Sequence, residues 1–332
     1  MKNRGIKIIF CIILLKSNLV RAQDFHLSIY DAAPMFLNPA LTGLVDSKLR
    51  VHAQYRNQWR SVAFKPYNTA LISVDAPKGK WGFGGQIINM RAGIGNYNAL
   101  QVLFSTSYAV HLDKNKYSNI SYGLQVGFTQ KRIESPLYTF NNQYTQSNGG
   151  SFDNSLPSGE KISSQTFITP QFNAGFMYFY SKQQARLNPF FGYSAFNLSN
   201  PKETYYTTNN KLPIRHYFHG GLRLNINELF YILPKVLFSI QKNATEQLYS
   251  IDAGYFLKNE SFYLLGGYSY RHKDASIIYV GAKKQNYIAK FGYDINTSTL
   301  KGVSYYKGAF EISFTYLVKS TKPKEIKHCP RL

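Results

Sequence analysis

The stretch Tyr287–Asn296, YIAKFGYDIN, decides the fold because its side chains alternate between two classes. Odd-numbered positions are apolar or aromatic, whereas Lys290, Gly292, Asp294 and Asn296 among the even-numbered positions are polar or small. Successive side chains of a strand point to opposite faces, so this period of two predicts a β-strand with one greasy and one polar face. Soluble sheets use strands of about five or six residues. A strand of about ten residues matches the length that a tilted strand needs to cross a bilayer.

The same pattern recurs along the chain in fourteen segments. Their number is even, and several are joined by the short links that are typical of hairpins. Two connections, 133–170 and 199–213, are much longer and are rich in Asn, Ser, Thr, Gly and Pro. The predicted strands are 48–58, 67–76, 81–90, 96–111, 119–132, 171–181, 187–198, 214–226, 234–243, 247–257, 261–271, 275–284, 286–297 and 308–319.

These features predict an all-β fold, a transmembrane antiparallel β-barrel of about 14 strands. Short turns at one rim and long loops at the other are typical of outer-membrane barrels. Closure follows from the solvent, because hydrocarbon offers no hydrogen-bond partner to the free edge of an open sheet. A water-soluble β-sandwich also alternates and is the competing architecture, but its strands are shorter.

The amino terminus predicts export. Lys2 and Arg4 precede an apolar stretch at 6–15, and small residues lie before Gln23, so we expect residues 1–22 to be a signal peptide cleaved after Ala22. The whole chain carries a net charge of +22, and loss of the five cationic residues of the signal leaves +17. On an exported barrel, this charge favours anionic lipid headgroups or an acidic partner over nucleic acid.

The remaining chain divides into three parts. Residues 23–47 are too apolar to be left loose in the periplasm, so we predict a segment that plugs the barrel or crosses its periplasmic mouth. Residues 48–319 form the predicted barrel. Residues 320–332 form a periplasmic tail, because both ends of an even-stranded barrel lie on the same side.

No motif predicts catalysis, a cofactor or a metal site. His216 and His219 are three residues apart, which on a strand places them on opposite faces. Trp81–Gly85, WGFGG, lacks the lysine and the following helix of a phosphate-binding loop. We therefore expect a protein that is not an enzyme. An outer-membrane hydrolase with a catalytic triad spread over several strands is an alternative that the sequence leaves open.

Several motifs carry a resemblance to a known family. They are Asn38–Gly43 (NPALTG), Tyr55–Trp59 (YRNQW), Phe140–Tyr144 (FNNQY), Phe152–Glu160 in the long loop, and the terminus Cys329–Leu332 (CPRL). Together they resemble the PorP/SprF family of Bacteroidetes outer-membrane proteins. The resemblance extends over the predicted mature chain from end to end.

The resemblance implies an outer-membrane component of the type IX secretion system, or an accessory to it. Members of the family are linked to the export and surface attachment of large proteins with a C-terminal sorting domain, including gliding adhesins. The implied partners are the secretion machinery, an adhesin-like exported protein and outer-membrane lipid. The alternative function is a passive porin or a transporter of hydrophobic solutes, in which the amino-terminal segment serves as a plug.

Candidate partner-binding residues lie in three regions. By resemblance, Asn38, Pro39 and Gly43 belong to the first motif, and the Cys-Pro-Arg end would dock to a partner on the periplasmic side. In the long loops, aromatic residues are natural anchors, because they bring a large contact area with few torsions to freeze. These rings would otherwise only pack the loops onto the rim. The remaining candidates are Tyr138, Phe140, Tyr144, Tyr205, Tyr206, Cys329, Pro330 and Arg331.

Overall fold

The computed structural model describes residues 26–61, 65–93, 95–134, 137–146, 149–160, 165–182, 185–205 and 210–319. Its main element is an antiparallel sheet of fourteen strands that closes on itself, in which strands adjacent in the chain are also adjacent in space. The predicted all-β transmembrane barrel is therefore confirmed.

The strands of the barrel are β1 Leu49–Gln58, β2 Tyr67–Lys78, β3 Trp81–Ala92, β4 Tyr97–His111, β5 Ser118–Arg132, β8 Thr166–Tyr180, β9 Leu187–Phe196, β10 Arg215–Asn225, β11 Phe230–Gln241, β12 Ala244–Leu257, β13 Phe262–Arg271, β14 Ala275–Lys284, β15 Tyr287–Asn296 and β16 Lys307–Val318. Two short strands, β6 Tyr144–Thr145 and β7 Ser151–Phe152, form a separate ribbon between β5 and β8.

Helical structure in the described residues is short. It consists of one α-helix, α1, at Pro34–Leu37 and of 3-10 turns. No helix in the described part of the chain is long and apolar enough to cross a membrane. The 3-10 turns are Tyr30–Ala32, Pro39–Leu41, Asn141–Gln143, Lys258–Glu260 and Thr299–Lys301.

The first and last strands close the barrel along one seam. Leu49 lies opposite Val318 at one end of the seam, and Gln58 lies opposite Ala309 at the other. The backbone groups of β1 and β16 are paired by this contact, as a sheet in hydrocarbon requires. A β-sandwich would have left both strands as free edges.

The two faces of the barrel have the polarity that the sequence predicts. In β5, the outward side chains Tyr122 and Leu124 are exposed, whereas the inward side chains Ser121, Gln125 and Thr129 are buried. The apolar face thus meets lipid and the polar face meets the lumen.

The connections divide between two rims. The start of β1 and the end of β16 lie at the same rim. The connections at this rim are 79–80, 112–117, 181–186, 226–229, 258–261 and 285–286. We call it the periplasmic rim, because short turns and chain ends lie on that side of outer-membrane barrels. The opposite, extracellular rim carries the two longest connections, 133–165 and 197–214. Its other connections are 59–66, 93–96, 242–243, 272–274 and 297–306.

Most predicted strand ends agree with the structure to within two residues, and two of the larger differences have a local cause. β8 begins at Thr166 rather than 171, and β11 begins at Phe230 rather than 234. Pro170 and Pro234 lie inside these strands, although proline lacks a backbone N–H and favours strand ends. Pairing with β5 carries β8 through Pro170, and pairing with β12 carries β11 through Pro234. β12 also begins three residues earlier than predicted.

Candidate functional site

Residues 26–47, which we call the lumen segment, fill the interior of the barrel. None of the residues from 26 to 45 is exposed. Hydrogen bonds and ion pairs join the segment to strands around the whole circumference, which requires it to lie inside. The wall residues that take part include Arg50, Gln54, Asp75, Gln86, Ser107, Ser121, Ser194, His219, Lys235, Arg271, Lys290 and Glu311.

The lumen segment runs from the extracellular half of the barrel to the periplasmic rim. At its start, His26 lies 3.6 Å from Glu246, near the extracellular end of β12. At its other end, the carbonyl of Thr42 accepts a hydrogen bond from Ser107, near the periplasmic end of β4. Residues 26–45 therefore lie inside the barrel rather than across its mouth.

The Asn38–Gly43 motif lies directly against glycines of the wall. A Cβ atom at Gly82 would stand 2.0 Å from the carbonyl oxygen of Thr42. The corresponding distance is 2.2 Å from Gly123 to the Ala40 nitrogen, and 1.9 Å from Gly175 to Asn38 Oδ1. A side chain at any of these three glycines would occupy the space of the segment, so glycine permits the close backbone approach.

Asn38 is fully buried and forms the centre of this contact. Its Oδ1 accepts a hydrogen bond from the Ala40 nitrogen at 2.9 Å. Its Nδ2 donates to the carbonyl of Phe176 at 2.9 Å and to that of Tyr193 at 3.3 Å, and it lies 3.1 Å from His219 Nε2. A side-chain amide supplies both an acceptor and two N–H donors, which no carboxylate or hydroxyl does.

Gly43 ends the motif in a left-handed conformation, with φ of +65°, that favours glycine. Its nitrogen donates to Asp75 Oδ2 at 2.6 Å, and Arg50 Nη2 pairs with the same oxygen at 2.6 Å. An added Cβ would lie 2.5 Å from the Cα of Gly82. Conformation and space therefore both require glycine at this position.

Asn38→Asp is expected to destabilise the folded barrel more than Asn38→Ala. The aspartate would bury a negative charge facing two carbonyl oxygens, whereas alanine only leaves those groups unsatisfied, at about 1–3 kcal/mol per group. Urea titration of the purified protein in detergent measures the free energy of unfolding. Asn142→Ala, at an exposed loop position, is the control. Equal stability of the two Asn38 variants would contradict the assigned donor role.

An arginine cluster joins the start of the lumen segment to the wall. Arg56 Nη2 lies 2.9 Å from Asp294, and Arg56 Nη1 lies 3.0 Å from Glu311. Arg271 Nη1 lies 3.4 Å from Asp294. The carboxylate of Glu311 also accepts the backbone N–H groups of Ser28 and Ile29, both at 2.8 Å. These buried charges compensate one another and fix the segment at the same time.

A second cluster holds the middle of the segment. Asp31 Oδ2 lies 2.8 Å from Lys235 Nζ and 3.2 Å from Lys290 Nζ, and Lys235 also pairs with Asp252. The two ammonium groups compensate the charge of the buried Asp31 carboxylate. Asp31 is therefore a fixed negative charge between two lysines of the wall.

The predicted aromatic candidates fall into two groups. Tyr138, Phe140 and Tyr205 are half-buried and pack the long loops onto the extracellular rim; Tyr205 meets Phe167 edge-on at 4.9 Å. Tyr144 is exposed and forms an edge-to-face pair with the ring of Phe152, at 5.4 Å, on the β6–β7 ribbon. The structure thus places Tyr144 where another protein can reach it.

The other candidates lie either inside the barrel or outside the described residues. In the structure, Asn38, Pro39 and Gly43 contact the wall of their own barrel, and their binding to another protein stays a prediction. Tyr206, Cys329, Pro330, Arg331 and the predicted cleavage after Ala22 lie outside the described residues.

Sequence reasoning missed the two charge clusters. A signal was present, because Asp294 and Glu311 fall on the polar face of their strands, and Arg56 lies within the YRNQW motif. The period of two predicts which face of the strand a residue lies on. It does not predict the ion-pair partner, since Arg56 and Asp294 are 238 residues apart.

His216 and His219 lie on opposite faces of β10, as predicted. His219 contacts Asn38 in the lumen, whereas His216 lies beside the outward Tyr193 ring.

A sequence model of the type IX secretion system membrane protein PorP/SprF matches residues 19–316, nearly the whole chain. The chain belongs to the PorP/SprF family. This PorP/SprF protein is therefore a type IX secretion protein of the outer membrane, associated with the secretion machinery, as the sequence motifs predict. A search of curated proteins found no match.

Solved structures with a similar fold are also outer-membrane barrels. The toluene transporter TbuX of Ralstonia pickettii is 10% identical, with a TM-score of 0.50 over 86% of this chain and 94% of that chain. A deltaS2S3 mutant of TodX, a monoaromatic hydrocarbon channel, is 10% identical, with a TM-score of 0.51 over 87% and 94%. At this identity the similarity to the PorP/SprF protein shows the fold alone.

Proposed function

We propose that this PorP/SprF protein supports the secretion or surface anchoring of an exported protein with a C-terminal sorting domain, such as a gliding adhesin. It acts by binding, without a bond-making step. The observation that carries the proposal is the filled lumen. When the interior of a barrel is occupied by its own chain, the rims and loops are the parts that remain accessible to a partner.

The filled lumen weighs against the alternative of a passive channel. Opening a path would require the lumen segment to leave, which breaks the ion pairs of Asp31 with Lys235 and Lys290. It would also break the hydrogen bonds of the segment backbone to Glu311 and separate Asn38 from its backbone partners. Removing one partner of a buried ion pair costs about 3–5 kcal/mol. A transporter of hydrophobic solutes would, in addition, need an apolar path, whereas Arg271, Asp294 and Glu311 line this lumen.

The extracellular connections offer the surface that binding needs. The ribbon of β6 and β7 carries the exposed pair Tyr144 and Phe152, 52% and 49% accessible. Exposed aromatic residues that are not packed against the barrel are typical anchors of protein interfaces. A neighbouring gene for a long, exported repeat protein would favour this function over transport.

The test compares cells that lack this protein with cells in which it is restored. We expect exported proteins with a sorting domain to be lost from the cell surface, or to appear in the medium, in the deletion strain, as measured by quantitative mass spectrometry of both fractions. Unchanged surface and medium fractions would contradict the proposal. Uptake of hydrophobic solutes by liposomes that contain the purified wild-type protein would support the alternative instead.

A further inference from the structure

The connection between β15 and β16 contains an unusual turn at the extracellular rim. Tyr305 and Tyr306 both have positive φ, +51° and +60°, and the nitrogen of Lys307 donates to the carbonyl of Ser304 at 2.9 Å. Positive φ at both central residues is the signature of a type I′ turn, in which Asn-Gly is strongly preferred. Two adjacent bulky residues in this conformation are a backbone outlier.

The side chains of Tyr305 and Tyr306 make few packing contacts that would offset the backbone strain. Tyr305 is 77% exposed and Tyr306 is 58% exposed, and the adjacent Val303 is 67% exposed. Leu300, in the same connection, is also exposed. A strained backbone that displays apolar side chains to solvent, rather than packing them, points to a surface that is completed by another molecule.

The turn is held firmly from below. Ser304 is fully buried, its hydroxyl lies within hydrogen-bond distance of Asn296 Nδ2 at 3.1 Å, and its nitrogen donates to the carbonyl of Leu300 at 2.9 Å. The nitrogen of Tyr306 donates to the carbonyl of Lys301 at 2.9 Å. The backbone that carries the two rings is therefore fixed before any partner arrives, which lowers the entropic cost of binding.

The position of the turn favours a protein over lipid, and its charge favours an acidic partner. The outward rings of Tyr293 and Tyr55 lie on the strands themselves, where the aromatic girdle of a barrel is expected. The turn lies beyond the end of β15, past the polar residues Thr297 and Ser298. Next to the rings are Lys301 and Lys307, both exposed, and in the described residues neither lies within ion-pair distance of a carboxylate.

We propose that Tyr305 and Tyr306 anchor an acidic surface of the exported protein that this barrel serves. The inference rests on the function proposed above and assigns its binding surface. The rings supply the contact area, and the two lysines pair with carboxylates of the partner. This surface stands on the opposite side of the barrel from the β5–β8 loop in which the sequence motifs placed the candidate anchors.

The first experiment replaces the turn with its preferred sequence. Tyr305→Asn with Tyr306→Gly removes both rings and relieves the backbone, so the barrel is expected to remain folded while surface retention of the exported protein falls to the level of the deletion strain. The control, Tyr305→Phe with Tyr306→Phe, keeps both rings and should retain the protein as the wild type does. Wild-type retention by the Asn-Gly variant would overturn the proposal.

The second experiment uses a photo-crosslinking residue, p-benzoylphenylalanine, at position 305 in intact cells. We expect an adduct with a protein that has a signal peptide and a C-terminal sorting domain, identified by mass spectrometry. The adduct should be lost when Lys301→Glu and Lys307→Glu are combined with the probe. An adduct with lipopolysaccharide alone, or no adduct, would overturn the proposal.

The two proposals fail in different ways. If the deletion strain retains its exported proteins, the function itself is wrong. If the deletion strain loses them but the Asn-Gly variant does not, the function stands and Tyr305 and Tyr306 are not its anchor. The barrel content of each strain, measured by the heat-dependent mobility of the protein in gels, separates loss of binding from loss of folding.

Discussion

Arg56→Ala is expected to lower the free energy of unfolding by about 3–5 kcal/mol, the range for removing one partner of a buried ion pair. Arg56 is 2% exposed and contacts both Asp294 and Glu311. Alanine would leave two carboxylates close together with less positive charge to compensate them. The loss would also weaken the hold of Glu311 on the backbone of Ser28 and Ile29, so the lumen segment should loosen.

Urea titration of the detergent-solubilised variant measures the loss, and limited proteolysis reports on the lumen segment. The matched control is Arg132→Ala. Arg132 is 60% exposed at the end of β5 and lies 4.0 Å from Glu134, a surface pair worth about 0–1 kcal/mol. A similar small loss in both variants would mean that water already compensates the charges around Arg56.

Deletion of residues 26–43 is expected to convert a non-conducting barrel into an ion-conducting pore. Those residues occupy the lumen, and the wall that they would leave exposed carries many charged and polar side chains besides its apolar ones, so the lumen would admit water and ions. In planar bilayers, we expect wild-type protein to stay at the baseline and the deletion variant to show discrete conductance steps.

Deletion of residues 141–152 from an extracellular loop is the control and should leave the baseline unchanged. Gly123→Val is also expected to produce conductance, without shortening the chain. The valine side chain would occupy the place of Pro39 and Ala40 and displace the lumen segment. Gly85→Val is its matched control, since a Cβ there meets Phe104 at an ordinary 3.6 Å. Conductance by the wild type would show that the lumen segment does not seal the barrel.

Much of the fold could be predicted from the sequence because the residue pattern of each strand shows which side chains face lipid and which face the lumen. In Tyr287–Asn296 and in the strand that ends the barrel, the period of two separates the lipid face from the lumen face without knowledge of any neighbour. Closure then follows from the solvent. Pro170 and Pro234 misled the prediction of strand starts, since local propensity cannot register the pairing that carries a strand through a proline.

The candidate site was harder to predict, because its contacts join distant parts of the chain. The motif Asn38–Gly43 was found from resemblance, but the reason for its composition is the glycine surface of Gly82, Gly123 and Gly175, which three different strands supply. The turn at Tyr305 and Tyr306 carried no signal, since Tyr-Tyr argues against the type I′ geometry that the chain adopts.

The path of the lumen segment also constrains how the barrel can assemble. Ser28, among the first residues of the predicted mature chain, donates its N–H to Glu311, 283 positions later and in the strand that completes the seam. The earliest residues to be exported therefore cannot reach their final contacts until the last strand has arrived. Sequence separations of this size slow folding, because the entropy of a very long stretch of chain is lost before the contact contributes its stabilising energy. Once both are in place, the lumen segment and β16 stabilise each other. Loss of either one should therefore lower the stability of the whole barrel.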